Sequence, residues 1–401
     1  MSLNTTPAAD RIHISFFGVR NAGKSSLVNA LTGQNMSVVS PVPGTTTDPV
    51  RKTMELLPIG PVVILDTPGL DDEGDLGEMR VRKAADMLNQ TDLAVMVRSG
   101  MEEIHPLEKE WMQQLTERGI PYLEVISKTD LLPQIPRDTN KVIHVSSKTG
   151  YGIHTLKETL GKFAAIPKPE KQIIADLLAP GDVVVLVMPI DESAPKGRLI
   201  LPQVQTLREI LDGHFTAIVC QPEEIPQVLE NSRKRPALVV TDSQAFGTVS
   251  KHVPEEIPLT SFSILFARYR GDLETLTVNA NRLAELRDGD RVLISEGCTH
   301  HRQCQDIGTV KIPKWIEQFS GAKPEYVFSS GGTFPEDLSE YRLIVHCGGC
   351  MINEREMQSR IHRAGEAGVP IINYGISIAH MHGILKRSLS PFPEIRELLK
   401  S

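Results

Sequence analysis

Two groups of residues in this chain have types and spacings that could do chemistry. The first is Gly18–Ser25, GVRNAGKS, a full match to the phosphate-loop pattern G-x-x-x-x-G-K-[ST]. It lies between the apolar run Ile12–Phe17 and the helix-forming stretch KSSLVNAL. Gly18 and Gly23 let the backbone wrap closely, so that N–H groups around Asn21, Ala22 and Ser26 face phosphate oxygens. Lys24 reaches the β- and γ-phosphates, and Ser25 offers a hydroxyl to Mg2+. The second group is Cys298-Thr299-His300 with His346-Cys347-Gly348-Gly349-Cys350. Three thiolates suit a 4Fe-4S cluster with one iron left open. The same cysteines with His300 or His346 suit tetrahedral zinc. A redox dithiol and inert cysteines are the remaining readings. The radical-SAM spacing Cys-x3-Cys-x2-Cys is absent.

Further motifs narrow the nucleotide. Asp66-Thr67-Pro68-Gly69 follows the apolar run VVIL. Asp66 there can hold the Mg2+ shell through water, and Gly69 can offer its N–H to the γ-phosphate. Within Pro43–Pro49, PGTTTDP, Thr46 is the candidate to complete the Mg2+ shell. In Ser127-Lys128-Thr129-Asp130, Asp130 can accept from guanine N1 and N2, which selects GTP. Ser146, Ser147 and Lys148 can line the base pocket. The catalytic set is thus Lys24, Ser25, Thr46, Asp66 and Gly69. Leu70 follows Gly69 and cannot orient water, which predicts slow hydrolysis. Residues 34–50 and 69–78 are the expected switch loops.

The elements that must position these residues alternate. Ile12–Phe17, Val62–Leu65, Leu93–Val97, Tyr122–Ile126 and Val142–Val145 read as strands, with helical spacing in Glu78–Leu88 and Pro106–Arg118. That alternation predicts a parallel sheet covered by helices. Val183–Met188, Thr216–Val219, Ala237–Val240 and Ser261–Leu265 read as a second set of strands. Arg291–Ser295, Glu325–Phe328, Leu343–His346 and Pro370–Tyr374 read as a third. The fold class is α/β in three domains: a P-loop GTP-binding domain at 1–167, a small α/β domain at 168–266 and a cysteine-bearing α/β domain at 267–401. Two strand ends of one parallel sheet would bring Cys298 and Cys347 together.

Composition sets the outer limits. The chain has 401 residues and a formal charge of −7, which argues against broad nucleic-acid binding. The longest apolar runs fall far short of the ~20 residues of a membrane helix. The N-terminal residues MSLNTTPAADR carry no apolar secretion signal. Five cysteines in so long a chain fit a reducing cytoplasm.

The first ~165 residues resemble the TrmE and Era group of small GTPases, through all five nucleotide elements in order. Ser127 departs from the group's Asn-Lys-x-Asp and removes one bracing amide from the pocket. The resemblance implies K+ held by Asn21 and K+-stimulated turnover. The whole chain resembles the HydF family of FeFe-hydrogenase maturation GTPases. The GTPase unit, PIDESAPKGRLILPQVQ (Pro189–Gln205), FSILFARYRGDL (Phe262–Leu273), EGCTH (Glu296–His300) and HCGGC (His346–Cys350) carry it. This resemblance implies a homodimer formed through the middle domain, and a 4Fe-4S cluster on Cys298, Cys347 and Cys350. It implies a carrier that takes a transient two-iron H-cluster precursor to apo FeFe-hydrogenase, with the radical-SAM maturases HydE and HydG as further partners. His300, His346 and Cys304 are the candidates for the fourth cluster position. The rival reading is a GTPase acting on RNA or ribosomes, with structural zinc.

Overall fold

A computed structural model of the chain describes residues 6–33, 50–71, 75–164, 171–190, 199–298, 306–395 and 398. Thr46, His300 and Cys304, together with most of the 34–50 switch loop, lie outside the described residues. The chain packs as two compact units, divided after Pro169. The architecture is α/β throughout, with three sheets and helices between their strands.

The first unit holds β1 (Ile12–Phe17), β2 (Val50–Leu56), β3 (Gly60–Asp66), β4 (Leu93–Ser99), β5 (Tyr122–Ser127) and β6 (Val142–His144). Their order is β2-β3-β1-β4-β5-β6, and every neighbouring pair is parallel except β2 with β3. Apolar layers cover both faces. Ile14 and Phe16 join Leu27 and Val95 on one side, while Phe17 joins Leu65 and Trp111 on the other. Strand β2 was not anticipated from the sequence. Its alternation of exposed Arg51, Thr53 and Glu55 with buried Lys52 and Leu56 is that of an edge strand, whereas a buried strand reads as an apolar run.

The second unit contains two parallel sheets. One has β7 (Val183–Val187), β8 (Thr216–Cys220), β9 (Leu238–Thr241) and β10 (Leu259–Ser261), in the order β10-β9-β7-β8. The other has β11 (Arg291–Glu296), β12 (Glu325–Ser330), β13 (Leu343–His346) and β14 (Ile371–Asn373), in the order β12-β11-β13-β14. The expected strand Ser261–Leu265 is mostly a helix. The strand stops at Ser261, whose side chain accepts from the Ile264 N–H and caps the helix Phe262–Arg270. Phe262, Ile264, Leu265 and Phe266 are all buried, so the run shows no amphipathic period and cannot be told from a strand by pattern.

This helix joins the two sheets of the second unit into one core. Ser263 Oγ lies 3.1 Å from Asn373 Oδ1 and accepts from the Gly375 N–H at 3.2 Å. A Cβ on Gly375, in the helix Tyr374–Met381, would lie 2.9 Å from Ile264 Cγ1 and 3.0 Å from Ser263 Cβ, so the two helices meet where a larger side chain would clash. Among the described residues no helix is long and apolar enough to cross a membrane.

The Gly375 contact predicts that Gly375→Leu lowers the stability of the second unit by about 1–3 kcal/mol through overpacking. Nucleotide affinity of the first unit should stay unchanged. Thermal unfolding alongside fluorescent-nucleotide titration reads both. An unchanged melting profile would contradict the close packing.

Candidate functional site

The sequence places a tight turn between β1 and the helix Lys24–Thr32, and the turn uses three left-handed or glycine-only conformations at Gly18, Asn21 and Gly23. A Cβ on Gly18 would lie 2.1 Å from the Val97 carbonyl oxygen, so only glycine fits. Gly23 caps the helix with no side-chain hydrogen bond, which leaves its first N–H groups for an anion. Lys24 is buried and donates to the Gly18 and Val19 carbonyls at 2.7 and 2.8 Å, folded across the loop it would leave to meet phosphate.

Three other segments end at the same edge of the sheet. Asp66, fully buried, ends β3, and its negative charge acts on Lys52 of β2. Burial lowers the Lys52 pKa and Asp66 pulls it partly back, while Lys52 Nζ donates to Asn29 Oδ1 at 2.6 Å. After β3 the chain crosses the phosphate loop. The Leu70 N–H donates to the Gly18 carbonyl, and the Arg20 N–H to Asp71 Oδ1. Leu70 is only 2% exposed, and Gly69 packs so tightly on Arg20 that a Cβ would approach Arg20 Cγ to 2.6 Å.

A cavity of about 610 Å³ opens beside this loop, lined among others by Gly23, Ser127, Lys128, Asp130, Ser147 and Lys148. That volume lies within the range of small-molecule sites. Ser146 Oγ donates to Asp130 Oδ1 at 2.7 Å, which orients the carboxylate. Ser127 does more than the sequence reading allowed. Its hydroxyl donates to the Ala22 carbonyl at 2.5 Å, tying the base-pocket strand to the phosphate loop. A hydroxyl thus supplies a brace between the two segments without an amide.

The cysteines occupy a second strand-end site. β11 pairs in parallel with β12 on one side and β13 on the other, so the winding reverses there, and Ser295 pairs with His346. Cys298 follows β11 and Cys347 follows β13. The crevice at such a reversal is where parallel sheets bind ligands. Cys347 Sγ accepts from the Gly297 N–H at 3.1 Å and the Gly349 N–H at 3.3 Å, an arrangement that favours a thiolate. Gly349 takes a left-handed turn between the two cysteines of the pair.

Burial nevertheless pushes all three thiols up. Cys298 rises to about 12, with Cys347 and Glu296 adding to the desolvation. Cys347 and Cys350 rise for the same first reason, and Cys350 also feels the other two cysteines. Thiols that repel one another's ionisation and receive backbone N–H groups match the donor chemistry of an iron–sulfur or zinc centre. Among the described residues, no three His, Cys, Asp or Glu side chains already converge on one metal position.

His346 is turned inward. It is fully buried, its Nδ1 lies 2.8 Å from the Cys347 carbonyl, and its Nε2 lies 3.0 Å from Arg360 Nη1. Burial and the Arg360 charge lower its pKa to about 3. Sequence reasoning missed Arg360 and Ser127 as structural partners of the two sites. The only local trace of Arg360 is its i, i+4 spacing from Glu356. Cys220 is buried in the core of the second unit, and His380 and His382 meet Phe319 and Trp315 edge-on.

Three family models match successive stretches of the chain. Residues 13–128 match a 50S ribosome-binding GTPase domain, 173–271 a hydrogen maturase F dimerization domain and 274–391 a hydrogen maturase F tetramerization domain. Similar curated proteins include the tRNA modification GTPase MnmE of Nitrosomonas europaea, 33% identical over 38% of this chain and 35% of the relative. MnmE of Nitrosospira multiformis is 36% identical over 37% of this chain and 34% of its own length. The chain thus spans about a third of the length of these relatives. Among solved structures, Aquifex aeolicus Era bound to GDP and aluminium fluoride is 19% identical at a TM-score of 0.36, covering 54% of this chain and 97% of Era. The two hydrogen maturase F domains follow one another across more than half of the residues, behind a GTPase domain, and the chain belongs to the hydrogen maturase F family.

Proposed function

We propose that this protein is a hydrogenase-maturation GTPase that binds GTP with Mg2+ and carries a 4Fe-4S cluster on Cys298, Cys347 and Cys350. The observation that carries the reading is the meeting of Cys298 and Cys347 at the reversal between β11 and β13, in a chain that also has a GTPase domain. The nucleotide is held by Gly18, Asn21, Ala22, Gly23, Lys24, Ser25 and Ser26 at its phosphates. Lys128, Asp130, Ser146, Ser147 and Lys148 hold its base. Ser25 and Thr46 ligate Mg2+, with Asp66 and Gly69 sensing the γ-phosphate. The three thiolates would hold the cluster, whose exposed iron would supply a docking point for a two-iron precursor.

In this reading the precursor comes from the radical-SAM maturases HydE and HydG and goes to apo FeFe-hydrogenase, in a reducing cytoplasm. The dimerization-domain match and the exposed edge strand β8, where Val219 is 49% exposed, support a homodimer through the middle sheet. The proposed domains are 1–167, 168–266 and 267–401, although the dimerization-domain match and the helix Phe262–Arg270 both run past the second boundary. GTP does not act on iron directly. Its γ-phosphate orders the loop after Asp66, which already rests on the phosphate loop through Leu70 and Arg20.

Buried Leu70 supports slow turnover, since it offers no polar group to a water. Asn21, at the left-handed turn of the phosphate loop, is the proposed K+ ligand. Phosphate release should be several-fold faster in K+ than in Na+, and Asn21→Ala should erase the difference; equal rates in the two salts would remove K+ from the scheme. Ser127→Ala should weaken GTP and GDP alike by about tenfold, from one lost bond worth about 1–1.5 kcal/mol; fluorescent-nucleotide titration measures it. After anaerobic reconstitution, wild type should hold about four irons per chain with a reduced-cluster EPR signal, both lost in Cys347→Ser. One zinc per chain with no such signal would favour the RNA-directed GTPase reading.

A further inference from the structure

A buried cation packed against the third sheet has no role in the proposed chemistry. Arg360 lies on the helix Glu354–Glu366, is 1% exposed, and is among the largest fully buried side chains of the described residues. Its guanidinium fork reaches three adjacent strand ends. Nη1 donates to His346 Nε2 at 3.0 Å, at the end of β13, and is 3.4 Å from Ser295 Oγ in β11. Nη2 donates to the Gly331 carbonyl at 2.7 Å, just past β12. Glu356 Oε1 accepts from Nε and Nη2 at 3.0 and 2.9 Å and balances the charge. The plane stacks over the Phe334 ring, 5.0 Å from its centre.

The partners of this fork lead to both cysteine loops. The Gly331 N–H donates to the Cys298 carbonyl at 3.3 Å. An arginine has no acceptor, so His346 Nε2 must accept, and the ring proton therefore sits on Nδ1. That Nδ1–H donates to the Cys347 carbonyl at 2.8 Å. The geometry points to Arg360 and His346 as a positioning pair. They fix the main chain at Cys298 and Cys347, so that the histidine beside the cysteine pair serves the metal centre through the Cys347 carbonyl and not as its ligand.

Two features favour this over ligation by His346. Both ring nitrogens are already engaged, and freeing Nε2 would leave a buried guanidinium short of one acceptor, which is costly. The ring is also fully buried under the sheet end. The arrangement is the one metal sites use to fix their ligands, in which outer residues hold the ligand segments by hydrogen bonds. The inference rests on the proposal that Cys347 holds a cluster.

The test uses the full-length chain, reconstituted anaerobically with ferrous iron and sulfide. His346→Asn keeps a donor near the Cys347 carbonyl but removes the ring. Arg360→Lys keeps the buried charge but removes the fork. Cluster loss to a chelator should be about tenfold faster in Arg360→Lys and in His346→Ala, and the double variant should be no faster than either single one. His346→Asn should load iron fully, and the nitrogen couplings in the pulsed EPR spectrum of its reduced cluster should match wild type. Thermal unfolding of the apo proteins shows that the variants fold. A strongly coupled nitrogen that disappears in His346→Asn would make His346 a ligand and overturn the inference, as would wild-type chelator resistance in Arg360→Lys. Full iron loading in Cys347→Ser would instead sink the cluster reading, and the inference with it.

Discussion

A parallel sheet cannot close over the place where its winding reverses. The two flanking connections leave in opposite directions, and a crevice remains at the C-terminal ends of the strands. This constraint organises the chain twice. In the first sheet β1 lies between β3 and β4, and the phosphate loop leaves its end. In the third sheet β11 lies between β12 and β13, and the cysteine segments leave the ends of β11 and β13. Each candidate site is built where the fold leaves room without disturbing a core.

The two crevices are prepared for opposite demands. At the phosphate loop, Gly18 and Gly23 bare the backbone and the helix Lys24–Thr32 directs N–H groups outward. A solvated anion can enter and leave such a site. At the cysteine loops, burial raises the thiols, and N–H groups and the Arg360 charge at Cys347, with the Arg270 charge at Cys350, offset only part of the cost of charge. A metal centre at these thiols would release protons as it assembled and would be held by its ligands rather than by field. One site suits a nucleotide that turns over, the other a centre that stays.

The helix Phe262–Arg270 packs at the centre of the second unit's core. Its N-terminus meets Gly375 and Asn373 at the end of β14, and Phe266 lies against Gly348, between the paired cysteines. The helix lies within the dimerization-domain match, which ends at residue 271, and the tetramerization-domain match begins at residue 274, so residues of both matches share one packed core.

The sequence by itself determined the elements whose chemistry is local. The GVRNAGKS turn, the Asp66–Gly69 segment, Ser127–Asp130 and the cysteine pair were legible as motifs because each is a run of neighbouring residues at the end of an apolar strand. The alternating α/β order was legible for the same reason, since buried parallel strands read as apolar runs. Where burial is uniform or alternation is polar, the pattern misled or fell silent, as in the helix at Phe262–Arg270 and the edge strand Val50–Leu56. Only the tertiary structure joined Ser127 to Ala22, or Arg360 to His346, Gly331 and Ser295. Those partners are distant in sequence, and hydrogen-bond geometry between elements depends on how sheets and helices pack. Local spacing decides which residues can do chemistry; packing decides which of them are held still and by what.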